Sequence, residues 1–98
     1  MPIQAEVQLP SEATISPGVV IYMRPECHLC QEARGRLAEL DPAAVLTVNE
    51  VDIETDDDLH RRYLELIPVI ELDGEQVAQL VEFRDSTFAE TIRKRIDV

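Results

Sequence analysis

At 98 residues and 45% hydrophobic content, the chain has room for one domain with a single core between two layers, and none for separate catalytic and binding domains. Twenty acidic against nine basic residues leave a formal charge of -11, which opposes nucleic-acid phosphates and anionic membrane surfaces as partners. The start, Met1-Pro2-Ile3-Gln4-Ala5-Glu6, lacks the basic and apolar segments of a secretory signal, and no apolar run reaches membrane-spanning length, so a cytoplasmic location is expected.

In chain order, Ile3, Ala5, Val7 and Leu9 alternate with Gln4, Glu6 and Gln8 at the period of a half-buried strand, and Pro10, Ser11, Ser16 and Pro17 mark a linker. Residues 1–17 therefore read as an N-terminal extension, an edge strand or a tail plus linker, ahead of a domain over residues 18–98. Gly18 to Met23 is a nearly continuous apolar run, as in a central strand buried on both faces. A helix is predicted from about Cys27 to Leu40, with Leu29, Ala33, Leu37 and Leu40 as its apolar stripe and Pro42 beyond its end.

Val45 to Ile53 predicts a second strand whose alternation slips around Asn49 and Glu50. Thr55 is the expected cap of a second helix, with Asp56, Asp57 and Asp58 at its positive end and Leu59, Tyr63 and Leu66 facing inward. That helix must end before Pro68. Val69 to Leu72, Asp73-Gly74 and Gln76 to Phe83 form a hairpin signal, because Asp-Gly accepts the positive backbone angles of a tight primed turn. Asp85, Ser86 or Thr87 caps a last helix, with Thr87 and Glu90 as a capping box and Phe88, Ile92 and Ile96 as its stripe. The order βαβαββα predicts an α/β domain with a central four-stranded mixed sheet flanked by helices, plus the optional N-terminal edge strand. Between Leu37 and His60 there are eight carboxylates and no lysine or arginine, which predicts an acidic rim, read either as a solvated face or as a docking surface.

The only cysteines, Cys27 and Cys30, lie between the first apolar run and the first helical pattern. Their spacing puts both sulfurs within one helical turn, close enough to close and reopen a small disulfide ring. Zinc, the other common use of Cys-x-x-Cys, needs four ligands, and beyond these sulfurs the chain offers only His28 and His60. A cysteine at a helix start has its thiolate favoured by unpaired N–H groups and the positive end of the dipole, so Cys27 is the candidate nucleophile and Cys30, one turn inside, the resolving thiol. His28 either stabilises the Cys27 thiolate as a cation or is a solvated turn residue. Arg24 either favours the thiolate and holds a substrate carboxylate or is an ordinary exposed arginine, and Glu26 opposes both effects. Tyr22, at the strand end, is expected to pack beside the site.

The strand Val19-Val20-Ile21-Tyr22 leading into Cys27-x-x-Cys30, the continuation Ala33-Arg34-x-x-Leu37, Ile67-Pro68-Val69 before a strand, and Gly74 in a hairpin resemble, in order and separation, the thioredoxin superfold and especially glutaredoxin-like proteins. The center is Cys-His-Leu-Cys rather than the Cys-Pro-Tyr-Cys usual in glutaredoxins. Phe83-Arg84-Asp85-Ser86 stands where that family has a Gly-Gly turn. The resemblance implies a cis bond at Ile67-Pro68, an Ile67 backbone that pairs with a bound peptide or glutathione, and a basic residue near a glutathione site at the position of Arg24. It implies a thiol-disulfide oxidoreductase acting as a monomer on protein or glutathione disulfides and restored by a cellular reductant. No tightly bound cofactor is expected, with glutathione as an optional co-substrate. The alternatives are a glutathione-dependent iron-sulfur cluster carrier and a redox-inactive binding module.

Overall fold

The computed structural model describes residues 18–96, so the expected N-terminal edge strand lies outside the described residues. Within them the order is β1 (Gly18–Met23), α1 (His28–Leu40), β2 (Thr47–Asp52), a 3-10 turn (Ile53–Thr55), α2 (Asp57–Tyr63), β3 (Val69–Leu72), β4 (Glu75–Gln79), a second 3-10 turn (Leu80–Arg84) and α3 (Ser86–Ile96). The sheet runs β2-β1-β3-β4. A helical crossover makes β1 and β2 parallel, and β3 is antiparallel to both β1 and β4. Asp73 and Gly74 both take positive φ, 53° and 89°, as the tight turn requires. The Asp73 carboxylate also accepts the Gly18 N–H at 2.8 Å and pairs with Arg95, tying the hairpin to the start of β1 and the end of α3.

The main core joins Val19 and Ile21 of β1, Ile70 and Leu72 of β3 and Ala78 of β4 to α1 and α3 through Ala33, Leu37, Leu40, Phe88, Ala89 and Ile92. Burying such aliphatic and aromatic side chains stabilises the fold by roughly 1.5–3 kcal/mol each before conformational entropy is counted. Tyr22 alternates with Ile21 and so points to the other face of the sheet. There a smaller cluster of Cys30, Ile53 and Ile67 packs with Tyr22, Leu59, Tyr63 and Leu64, joining α2 to the end of β1 where the cysteine loop begins. No helix among the described residues is long and apolar enough to cross a membrane.

Several boundaries differ from expectation for local reasons. The buried face of α1 is Cys30, Ala33, Leu37 and Leu40, with Leu29 only half-buried, so Cys30 itself occupies the apolar stripe. β2 is an edge strand whose residues 47–50 are exposed, which is why its alternation is weak. Asp56, not Thr55, caps α2, its carboxylate accepting the N–H groups of Asp58 and Leu59, while the Thr55 hydroxyl donates to the Asp52 carbonyl. β4 stops at Gln79, and Phe83 is buried from a 3-10 turn instead of from a strand. α3 begins at Ser86, so Thr87 is already inside its first turn, where its carbonyl accepts the Thr91 hydroxyl, and is not the cap of a Thr87–Glu90 box; Asp85 is the residue that precedes the helix.

The acidic stretch forms the expected rim, six of its eight carboxylates lying on exposed residues, and several of them are also paired within the fold. Glu50 pairs with Arg34, Glu54 with Arg24, and Asp58 with Arg61. Asp41, 9% exposed, folds its carboxylate back onto the N–H groups of Val45 and Leu46 at 2.8 and 2.9 Å.

Candidate active site

β1 ends at Met23, and the chain turns through Arg24, Pro25 and Glu26 before α1 begins. Glu26 sits at φ 64°, a left-handed conformation costing a non-glycine residue roughly 1–2 kcal/mol. That turn delivers Cys27 in extended conformation to the N-cap of α1, a position usually held by a serine, threonine or aspartate oxygen. Here sulfur takes the role, accepting the Cys30 backbone N–H at 3.2 Å. The first turn of α1 holds no acidic residue, so no helix carboxylate opposes negative charge on that sulfur. Cys27 and Cys30 are joined in a disulfide with Cα atoms 5.2 Å apart, and they differ in access: Cys27 is half-buried, Cys30 3% exposed.

The Ile67–Pro68 peptide is cis. Ile67, 8% exposed, packs in the same cluster as Cys30, which brings this loop against the dithiol. Its N–H donates to the Tyr63 carbonyl at 3.1 Å, so that donor is occupied within the fold. The flanking carbonyls of Leu66 and Pro68 both accept the Leu80 N–H, at 3.1 and 3.0 Å.

Arg24 lines a cavity of about 160 Å³ beside the disulfide, together with Met23, Pro25, Glu26, Cys27, Cys30, Gln31 and Arg34. Both arginines are engaged elsewhere, Arg24 with Glu54 at 3.3 Å and Arg34 with Glu50. His28 is the exposed first residue of α1 and has no hydrogen-bond or ion-pair partner among the described residues. Among the described residues no group of three or more His, Cys, Asp or Glu side chains is placed to hold a metal ion.

Three features near the site were not legible in the sequence. Tyr22 stacks on Tyr63 with ring centroids 4.7 Å apart, and its hydroxyl donates to Glu71 at 3.5 Å. Burial first, then the Glu71 charge, raises the Tyr22 pKa. Tyr63 stood in the sequence only as part of a helical stripe. Arg84 forms a two-pronged pair with Glu32 at 2.7 and 2.8 Å, linking the second 3-10 turn to α1 two residues past Cys30. Leu80 and Val81 stand exposed beside the Pro68 loop. The adjacent apolar pair, which breaks strand alternation, was the available signal for that turn.

The chain matches the model of the Glutaredoxin-like domain family (DUF836) over residues 18–98. It is similar to a solved structural-genomics target protein from X. campestris at 26% identity, covering 81% of this chain and 95% of that one with TM-score 0.58. A solution structure of a Nitrosomonas europaea protein matches at 22% identity over 90% and 98% of the two chains, with TM-score 0.61. A thioredoxin variant from Halobacterium salinarum matches at 21% identity over 85% and 77%, with TM-score 0.55. No curated protein matches the chain significantly.

Proposed function

This chain belongs to the glutaredoxin-like domain family within the thioredoxin superfold, with a thiol redox-type function, and on that premise we propose that it is a dithiol oxidoreductase that reduces disulfides through Cys27. The observation that carries this reading is the asymmetry of the pair: Cys27 is the reachable sulfur and accepts a helix-start N–H, while Cys30 is buried behind it. The Cys27 thiolate attacks one sulfur of the substrate disulfide, forming a mixed disulfide and releasing one substrate thiolate. The Cys30 thiolate then attacks Cys27, releasing the second thiolate and leaving Cys27–Cys30 oxidised. Two electrons pass to the substrate, and a thiol reductant returns the pair to the dithiol. The cis loop supports this by presenting the Ile67 carbonyl beside the pair, where an extended substrate backbone can donate to it.

Arg24 and His28 contribute little to the thiolate in this reading, since Arg24 is held by Glu54 and His28 faces solvent. The test is turnover of a small disulfide with dithiothreitol as reductant. Wild type turns over, and Cys27→Ser loses activity by at least a hundredfold. Full activity in Cys27→Ser rejects the assignment.

A further inference from the structure

The turn after β4 combines features that the dithiol chemistry does not itself require. Leu80 holds φ 55°, a left-handed conformation that glycine or asparagine takes more readily than leucine. Its N–H is consumed by the Leu66 and Pro68 carbonyls, and the Gln79 N–H by the Glu82 carboxylate at 2.9 Å. Both of these donors are therefore closed to an anionic ligand, and Glu82 adds negative charge beside them. What the turn offers outward is apolar, with Leu80 37% and Val81 45% exposed. Single exposed apolar residues are ordinary, but these two are adjacent and anchored to the carbonyls on either side of Ile67. The Glu32–Arg84 pair clamps the same turn to α1.

We propose that Leu80 and Val81 form a specificity lip that selects extended segments of protein disulfides bearing an apolar residue beside the cysteine and a net positive charge, over glutathione disulfide. This rests on the dithiol assignment above. An extended chain meeting the Ile67 carbonyl lies next to the lip, so the residue flanking its cysteine buries apolar surface there. Charge complementarity points the same way. Arg24, Arg34 and Arg84 are each committed to a carboxylate, and the chain as a whole carries -11, so an anionic tripeptide meets mostly repulsion and a basic segment attraction.

Four probes test it: oxidised glutathione, hydroxyethyl disulfide, a disulfide-linked peptide with leucines flanking its cysteine and lysines at its ends, and the same peptide with glutamates in place of the leucines. The wild-type kcat/KM for the leucine peptide exceeds that for the glutamate peptide and for glutathione by about tenfold or more, the scale of one apolar contact in a specificity site. Val81→Ser, and separately Leu80→Asn, which suits the backbone, remove most of that preference and leave the hydroxyethyl disulfide rate unchanged. Equal rates on all four probes, or variants that slow every probe in parallel, overturn the lip. Should Leu80→Asn fail to fold, Val81→Ser alone decides. Cys27→Ser run on the same panel separates the two readings: its inactivity with a flat wild-type profile removes the lip and keeps the dithiol chemistry, whereas its activity removes the dithiol assignment itself.

Discussion

Replacing Asp41 by alanine should destabilise the domain sharply while leaving its chemistry intact. Asp41 lies just past the end of α1, 9% exposed, and each carboxylate oxygen accepts one backbone N–H of the chain entering β2. In Asp41→Ala the Leu46 N–H is left buried without its acceptor, while the Val45 N–H, on an exposed residue, can recover water. Losing a bond to a charged acceptor costs about 1.5–3 kcal/mol and the rehydrated one about 0.5–1.5, so the sum is about 2–4.5 kcal/mol. Against a total stability of about 5–15 kcal/mol that is a large fraction. For a domain of this size, at about 4–8 °C per kcal/mol, it lowers the melting temperature by about 8–36 °C. Chemical denaturation followed by far-UV circular dichroism measures it, with Glu90→Ala, an exposed site on α3, as a control expected to move by less than about 0.5 kcal/mol. Thirteen helical residues separate the two ends of α1, about 20 Å, so disulfide reduction at 25 °C by the folded variant should match wild type. A loss below about 1 kcal/mol would refute the claim that this carboxylate organises the α1–β2 connection.

The Glu32–Arg84 pair gives a pH dependence at the acid end. The Arg84 hydrogen bond holds the Glu32 carboxyl below its ordinary value of 4.5, so the pair's contribution is present above that value and fades as pH falls through the lowered one. Glu32→Gln should flatten that part of the wild-type stability profile as pH falls below 4.5, read by urea midpoints; an unchanged slope contradicts it. Tyr22 works at the alkaline end. Its folded pKa is raised above 10.0, so the unfolded chain loses that proton first, and the native state's advantage is complete below pH 10.0 and declines as pH rises above it. Tyr22→Phe should therefore lose stability less steeply than wild type above pH 10.0, and parallel curves would contradict the assignment.

Much of this architecture was legible because its signals are local and strong. The run 19–22, the Asp73-Gly74 turn and the stripe Ala33, Leu37 and Leu40 each specify one geometry, and their order fixes the mixed sheet. The errors fall where tertiary partners decide. Phe83 reads as the end of a strand, but its side chain is taken into the main core from a 3-10 turn that the Glu82 carboxylate starts and Arg84 pins. Thr55 reads as a cap, but Asp56 offers a carboxylate one residue later and wins two N–H groups. The acidic stretch reads as a rim and is one, with six of its eight carboxylates on exposed residues, but its pairings with arginines 34, 24 and 61 were not readable because those partners lie outside it in sequence. At the site, the cysteines and the Ile67-Pro68 step were readable from spacing and resemblance. The occupied Ile67 N–H, the tyrosine stack and the Leu80–Val81 turn depend on elements brought together only by the fold.

The central claim is that Cys27 attacks and Cys30 resolves. Cys30→Ser, reduced and mixed with the leucine-flanked disulfide peptide, should accumulate a covalent adduct of one peptide per chain, located on Cys27 by intact and fragment mass spectrometry. Cys27→Ser treated in the same way should remain unmodified, its remaining thiol being buried. An adduct on Cys30 in the Cys27→Ser protein, or none on Cys27 in the Cys30→Ser protein, would contradict the account.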